Sequence, residues 1–139
     1  MHSTATVLLA TITAFLLAQM LKVVTYSLKK KKFYYQALLE SGGLPSGHSA
    51  MMSGLTMSIY LFEGFSTAFT ISLILSLIIM YDAMGVRRQT GKQGKALNII
   101  IQKYKLKIPL NKEAVGHSPL EVFLGAILGI IVALSISML

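Results

Sequence analysis

The chain has 139 residues, of which 54% are hydrophobic and only 13% are charged, and its mean hydropathy is +0.66. About a quarter of the residues of a soluble domain are charged, so this composition excludes an ordinary soluble domain and predicts a membrane protein. The net charge of +8 does not indicate a nucleic-acid partner, because the basic residues lie between apolar segments and no aromatic-rich basic surface accompanies them. Cysteine is absent, which removes disulfides and thiolate metal sites, and residues 1–139 are too few for more than a single membrane-embedded domain.

Four apolar segments predict four membrane spans, and therefore an all-α, polytopic four-helix bundle. They cover residues 4–28, 49–62, 67–81 and 118–139. The two middle segments are shorter than the roughly 20 residues that a hydrocarbon core requires, so we expect the polar motifs beside them to lie inset from the headgroups. Gly125 and Gly129 are four residues apart in the last segment, a spacing that favours close packing within the bundle over a dimer contact.

A polar and basic stretch, residues 89–113, separates the third and fourth spans. Its apolar residues recur at helical spacing, at Leu97, Ile100, Ile101 and Tyr104. This pattern predicts a cytoplasmic amphipathic helix that lies at the membrane surface and ends at Pro109.

The basic residues also predict an orientation, since every Lys and Arg lies within residues 22–46 or 85–117. By the positive-inside rule both segments are cytoplasmic and both termini lie outside, in an integral protein that we expect in the plasma membrane. The polar residues of the motifs described next would then share one face of the bundle.

Residues 42–49, with the sequence G-G-L-P-S-G-H-S, place a glycine-rich turn before the second apolar segment. Ser46 can cap the exposed N–H groups of a helix that begins here, and a helix N-terminus favours anions. Gly47 lets an anion come close to the backbone, and His48 adds an imidazole that can protonate a departing oxygen. The stretch therefore predicts half of a phosphate site.

The other half is predicted at residues 116–121, with the sequence G-H-S-P-L-E. His117 and Glu121 are four residues apart and share a helix face, so the carboxylate can hold one ring nitrogen protonated and leave the other free to attack. A single histidine near a helix end is typical of a capping or interfacial residue. The joint occurrence of His48 and His117, each after a glycine and each opening an apolar segment, favours a site instead.

Three basic side chains supply the positive field that a dianionic phosphate monoester requires. We expect Lys22, Arg87 and Arg88 to bind phosphate together with Ser46 and Gly47. The end of the third span also carries a carboxylate close to these arginines.

That carboxylate, Asp82, would either support the arginines or form an ion pair with Lys22. The competing chemistry is a zinc or iron site, with the candidate ligands His48, His117, Asp82 and Glu121. The abundance of Lys and Arg favours an anion over a divalent cation, so we expect neither a metal nor another cofactor.

Three blocks of sequence resemble a known family. The P-S-G-H of residues 45–48 is similar to the central motif of the type 2 phosphatidic acid phosphatase superfamily, which includes lipid phosphate phosphatases and vanadium haloperoxidases. Three longer blocks resemble its small, divergent bacterial and plant branch, in this order along the chain: G-G-L-P-S-G-H-S-A at 42–50, M-Y-D-A-M-G-V-R-R at 80–88 and G-H-S-P-L-E-V at 116–122.

This resemblance implies metal-independent hydrolysis of a phosphate monoester on a membrane lipid, such as phosphatidic acid, through a phosphohistidine. His117 would be the nucleophile, His48 the general acid, and Glu121 the acid that orients the nucleophile. The superfamily's first motif, K-x6-R-P, is matched only as Lys22 followed by Lys29, and Asn111 stands where an arginine usually precedes the nucleophile by six residues. The alternative is a non-catalytic protein that binds or transports a lipid phosphate, and the reduction of the usual six-helix core to four spans leaves a homodimer open.

Overall fold

The computed structural model describes residues 2–40, 42–111 and 116–138, and all regular secondary structure in that part of the chain is helical. Five α-helices and one short 3₁₀ helix follow one another: α1 (His2–Lys30), the 3₁₀ helix (Tyr35–Leu39), α2 (Gly47–Glu63), α3 (Thr67–Met84), α4 (Val86–Lys103) and α5 (Pro119–Ser137). The all-α prediction is confirmed. Residues 112–115, which belong to the predicted polar stretch, lie outside the described residues.

Three helical stretches are long and apolar enough to cross a membrane. They are Thr4–Lys30, Thr67–Lys103 and Pro119–Ser137, which overlap the first, third and fourth predicted spans. The second predicted span forms α2, which has 17 residues and is not one of the three. The chain is therefore a helical membrane protein, in which α2 packs against α1, α3 and α5.

Serine side chains begin three of the helices. Ser46 accepts a hydrogen bond from the Ser49 N–H at the start of α2, so the predicted cap is confirmed. Ser66 caps α3 in the same way, after a turn in which Gly64 has φ 63°. Ser118 caps α5, where Pro119 follows as the first helical residue. These caps satisfy N–H groups that a helix start leaves without an intrahelical partner.

Small residues allow α2 and α5 to pack backbone against backbone. Gly125 lies against the Ser46 carbonyl, and Gly129 lies against the Ala50 carbonyl and the Ser53 hydroxyl. A Cβ atom on either glycine would collide with these atoms. The two glycines therefore mediate packing within the bundle, as expected, and α2 covers the face of α5 on which they lie.

The contact of α3 with α2 is made by polar groups inside an apolar surrounding. The Thr56 and Ser76 hydroxyls lie 2.8 Å apart, and Ser76 donates a hydrogen bond of 3.1 Å to the Met52 carbonyl. Thr56, Ser76 and Met52 are all buried. Since α3 and α5 both pack on α2 and hardly on each other, a gap remains between them.

The amphipathic helix predicted from residues 89–113 differs from the observed α4 at both ends. α4 begins at Val86, directly after Gly85, and it ends at Lys103 rather than at Pro109. The chain leaves the helix because Lys105 adopts φ 51°, a left-handed conformation. The segment that follows returns to the helix, where Asn98 and Asn111 exchange two hydrogen bonds of 2.8 and 3.0 Å.

Replacing Gly129 by alanine tests the α2–α5 contact. The added Cβ would lie 2.8 Å from the Gly54 backbone nitrogen and closer still to Ala50 and Ser53, so the helices must separate. We expect Gly129→Ala to destabilise the protein by roughly 1–3 kcal/mol, measured as a lowered thermal unfolding midpoint in detergent. Ser135→Ala, on the exposed side of α5, is the control, and equal midpoints for the two variants would refute the packing.

Candidate functional site

Two glycines shape the loop that leads into α2. Gly42 and Gly43 have φ values of 98° and 99°, which only glycine adopts readily. A Cβ on Gly43 would also collide with the Tyr26 ring. The loop can therefore pass close to α1 and deliver Gly47 and His48 at the end of the bundle where α1 ends.

The segment before α5 is fixed from two sides. Gly116 packs against the backbone of Arg88, where any side chain would collide with main-chain atoms, and the His117 N–H donates a hydrogen bond of 3.0 Å to the Ala83 carbonyl. On the other side, the Ser46 N–H donates a hydrogen bond of 3.0 Å to the Glu121 carbonyl. These main-chain contacts bring the starts of α2 and α5 to the end of α3.

His117 is held by the carboxylate one turn further on. Its Nδ1 lies 3.2 Å from Glu121 Oε2, which also accepts a hydrogen bond of 3.0 Å from the Ser118 N–H. Because a carboxylate accepts and does not donate, Nδ1 carries the proton in the neutral ring, and Nε2 keeps its lone pair. The Ser118 hydroxyl accepts from the Glu121 N–H in return, which completes a capping box.

Burial lowers the pKa of His117 below its ordinary value of about 6.5, and the hydrogen bond and negative charge of Glu121 oppose that shift. The positive charge of Lys22 also lowers this pKa. His117 is only 9% exposed, which explains why burial dominates. The ring is consequently neutral at pH 7, the state in which a nitrogen can act as a nucleophile.

Two cations reach the same end of the bundle by different routes. Lys22 is 5% exposed, and its ammonium donates a hydrogen bond to the Glu40 carbonyl of the loop. Arg87 is more exposed, and its Nε lies 2.6 Å from Asp82 Oδ2. Of the two roles that the sequence left open for Asp82, the structure has support of an arginine and not the ion pair with Lys22: the start of α4 directs Arg87 back to the carboxylate five residues earlier.

A cavity of about 110 Å³ lies between these groups. It is lined by Gln19, Lys22, Leu38, Glu40, Gly42, Gly47, His48, Arg87 and His117. Its walls thus come from the end of α1, the loop after it, the start of α2, the start of α4 and the segment before α5. The cavity carries two imidazoles, an ammonium and a guanidinium, together with the N-terminal end of α2, a set that suits a tetrahedral oxyanion.

Five of the nine site residues predicted from sequence line this cavity: Lys22, Gly47, His48, Arg87 and His117. Three lie behind it, namely Ser46 as the cap of α2, Glu121 beside His117 and Asp82 beside Arg87. Arg88 does not line it and lies instead along a separate hollow beside α4. Within the described residues, no three His, Asp or Glu side chains converge as a set of metal ligands would.

Sequence reasoning did not identify Leu38 or Glu40 as lining residues, since nothing in their sequence indicates how this segment folds back over a cavity. Gly42, in contrast, belongs to the predicted stretch 42–49. Gln19 did carry a signal. It shares a helix face with Lys22 in an apolar segment, and a polar face there is expected to turn toward protein.

Fold and cavity together define a helical membrane protein with an anion-suited cavity at one end of its bundle. A family model described as "Divergent PAP2 family" matches residues 3–132. The chain is also 33% identical, over 143 aligned positions, to an uncharacterized membrane protein of Bacillus subtilis (strain 168), YuiD, and the alignment covers 91% of this chain and 90% of that protein. No solved structure matches. The chain belongs to the divergent PAP2 family, as its three sequence blocks indicated.

The environment of His117 can be tested by histidine NMR in detergent micelles. Because Glu121 raises the pKa of His117, Glu121→Gln should move it further below about 6.5, while a glutamine at this position preserves the capping box. Glu63→Gln, at the far end of α2, is the matched control. An unchanged or higher pKa of His117 in Glu121→Gln would show that the contact is absent.

Proposed function

We propose that this protein is a phosphatase that hydrolyses a phosphate monoester on a membrane lipid, with no metal and through a phosphohistidine at His117. One observation carries the proposal: the 110 Å³ cavity gathers His48, His117, Lys22 and Arg87 from separate parts of the chain. Membership of the divergent PAP2 family supports it. The proposed unit is the whole of residues 1–139.

The proposed topology follows from the position of the cavity. The end of α1, the start of α2, the end of α3 and the start of α5 all meet there, so the four helices run between that end and the opposite one. α2 has 17 residues, a length of about 25 Å, and crosses with its polar start inset in the bundle. With the basic segments in the cytoplasm, the cavity opens at the inner leaflet of the plasma membrane, and both termini lie outside.

The phosphate monoester would be bound by charge and by backbone donors. Lys22 and Arg87 neutralise two negative charges, and Asp82 holds the guanidinium in place. The first N–H groups of α2, at Gly47 and His48, have no intrahelical partner and lie at the favourable end of the helix dipole. Ser46 acts behind them as the cap, since its side chain is buried and bonded to Ser49.

The reaction has two steps. His117 Nε2 attacks phosphorus and a P–N bond forms, while the P–O bond to the lipid breaks and His48, in the imidazolium form that the bound dianion favours, gives its proton to the departing oxygen. Water then attacks phosphorus, so that a new P–O bond forms while the P–N bond to His117 breaks, His48 takes a proton from that water, and inorganic phosphate leaves. Glu121 keeps Nδ1 protonated and stabilises the positive ring that forms when Nε2 is phosphorylated.

One chain supplies every group that the proposed reaction uses, so the proposal does not require the homodimer that the sequence left open. Binding or transport without catalysis is the second candidate. It is favoured by the incomplete first motif, in which Lys22 is followed by Lys29 and Lys30 rather than by an arginine and a proline. The two candidates differ in whether a covalent phosphohistidine forms.

The central test measures phosphate release from a panel of lipid phosphates, with EDTA present, by purified protein. We expect the native protein to release phosphate. The rate should fall by at least about 10³-fold in His117→Ala, which lacks the nucleophile, and in His48→Ala, which lacks the general acid. His2→Ala, which changes the remaining histidine, is the control. Radiolabelled phosphate trapped on His117 would exclude a simple binder, and full activity in both cavity variants would exclude the phosphatase.

The contribution of the positive charge of Arg87 to phosphate binding can be tested by substitution. Removing one cation from a partly buried phosphate site should lower kcat/KM by about 10²–10³-fold in Arg87→Gln, because the second phosphate charge loses its partner. Lys103→Gln removes the same charge at the end of α4, away from the cavity, and should leave kcat/KM within about twofold. Equal losses in the two variants would indicate a general charge effect and would contradict this role of Arg87.

A further inference from the structure

An apolar groove runs along the side of the bundle between α3 and α5. Near the cavity end it has a volume of about 760 Å³ between Met84 and Phe123, and further along, where α2 forms its floor, about 380 Å³. Leu77, Met80 and Ala126 line both parts, so the groove is continuous. It exists because α3 and α5 both pack on α2 and leave a gap between themselves.

The groove opens at one end into a basic hollow. This hollow, of about 580 Å³, shares Tyr81 and Met84 with the groove and is also lined by Arg88 and Lys92. Its other polar lining residues are Gln89, Thr90 and Gln93, and none of its lining residues is acidic. The apolar groove therefore leads to two positive charges with hydroxyl and amide groups around them.

The basic hollow is separate from the 110 Å³ cavity. None of its lining residues lines that cavity, and the segment at Gly116 and His117 is bonded to the end of α3 between the two. Among the described carboxylates, Asp82 pairs with Arg87 and Glu121 with His117, while neither Arg88 nor Lys92 forms an ion pair with any of them. The charges of Arg88 and Lys92 are thus available to a ligand.

The dimensions fit one lipid chain. Along α5 the groove extends from Pro119 to Ile130, a rise of about 16 Å at 1.5 Å per residue. One leaflet accounts for about 15 Å, half of a hydrocarbon core of about 30 Å. An acyl chain that follows the groove would consequently have its phosphate at the level of Arg88 and Lys92.

We propose that this groove and hollow bind one molecule of an anionic phospholipid, with an acyl chain between α3 and α5 and its phosphodiester at Arg88 and Lys92. A headgroup with hydroxyls, as in phosphatidylglycerol, matches the amides and hydroxyl of the hollow. Phosphatidylcholine matches it poorly, because its ammonium would meet two cations and no carboxylate among the lining residues. The site does not depend on the proposed phosphatase reaction, since a phosphodiester is not a monoester substrate.

The test is native mass spectrometry of the full chain in detergent, titrated with phosphatidylglycerol or phosphatidylcholine. We expect one phosphatidylglycerol to be retained at least about tenfold more strongly than phosphatidylcholine, and this preference to vanish in the double variant Arg88→Gln/Lys92→Gln, which changes exposed side chains. Lys103→Gln/Lys107→Gln removes two charges outside the hollow and should keep the preference. Ala126→Phe should weaken retention of both lipids by obstructing the groove.

The same measurement on His117→Ala distinguishes this site from the cavity. Retention at the native level is expected, whether or not the phosphatase proposal holds. Loss of phosphatidylglycerol in His117→Ala, equal retention of the two lipids by the native protein, or an unchanged preference in Arg88→Gln/Lys92→Gln would each overturn the proposal. A dimer that persists without lipid and is broken by Ala126→Phe would also overturn it, because a second copy would then occupy the groove.

Discussion

The close approach of α5 to α2 is the constraint on which the cavity depends. Gly125 lies against the Ser46 carbonyl, and the Ser46 N–H is bonded to the Glu121 carbonyl, so the first turns of the two helices are joined by backbone alone. Backbone contacts leave little freedom, because they do not rest on flexible side chains. His48 follows the cap of α2, and His117 precedes the cap of α5. The contact between the two helices therefore also positions the two imidazoles.

The same packing also produces the apolar groove. The glycines of α5 allow it to pack closely on α2, and α3 contacts α2 through Thr56 and Ser76. α3 and α5 therefore stay apart over most of their length. The segment at His117 crosses to α3 through the Ala83 carbonyl. One bundle therefore has two distinct openings, and the neighbouring arginines diverge: Arg87 lines the cavity, while Arg88 lines the basic hollow.

The sequence predicted features that arise from local chemistry and missed those that arise from how the loops return. The helical class, the cap at Ser46 and the family follow from patterns within short stretches. The sequence left the partner of Asp82 open between Lys22 and the arginines, because charges alone do not reveal that α4 starts directly after α3 and turns Arg87 back. The contributions of Leu38 and Glu40 to the cavity depend on the fold of a loop that carries no periodic signal.

Glu121 links the stability of the site to its chemistry. Its Oε2 serves both the Ser118 N–H and His117 Nδ1, so one carboxylate completes the start of α5 and fixes the imidazole. A capping box uses Glu or Gln at this third helical position, since the side chain must reach back over a full turn. An aspartate would be one methylene shorter, so a glutamate is the acid that can make both contacts from this position. In the proposed reaction, α5 could therefore not begin correctly without also orienting its nucleophile.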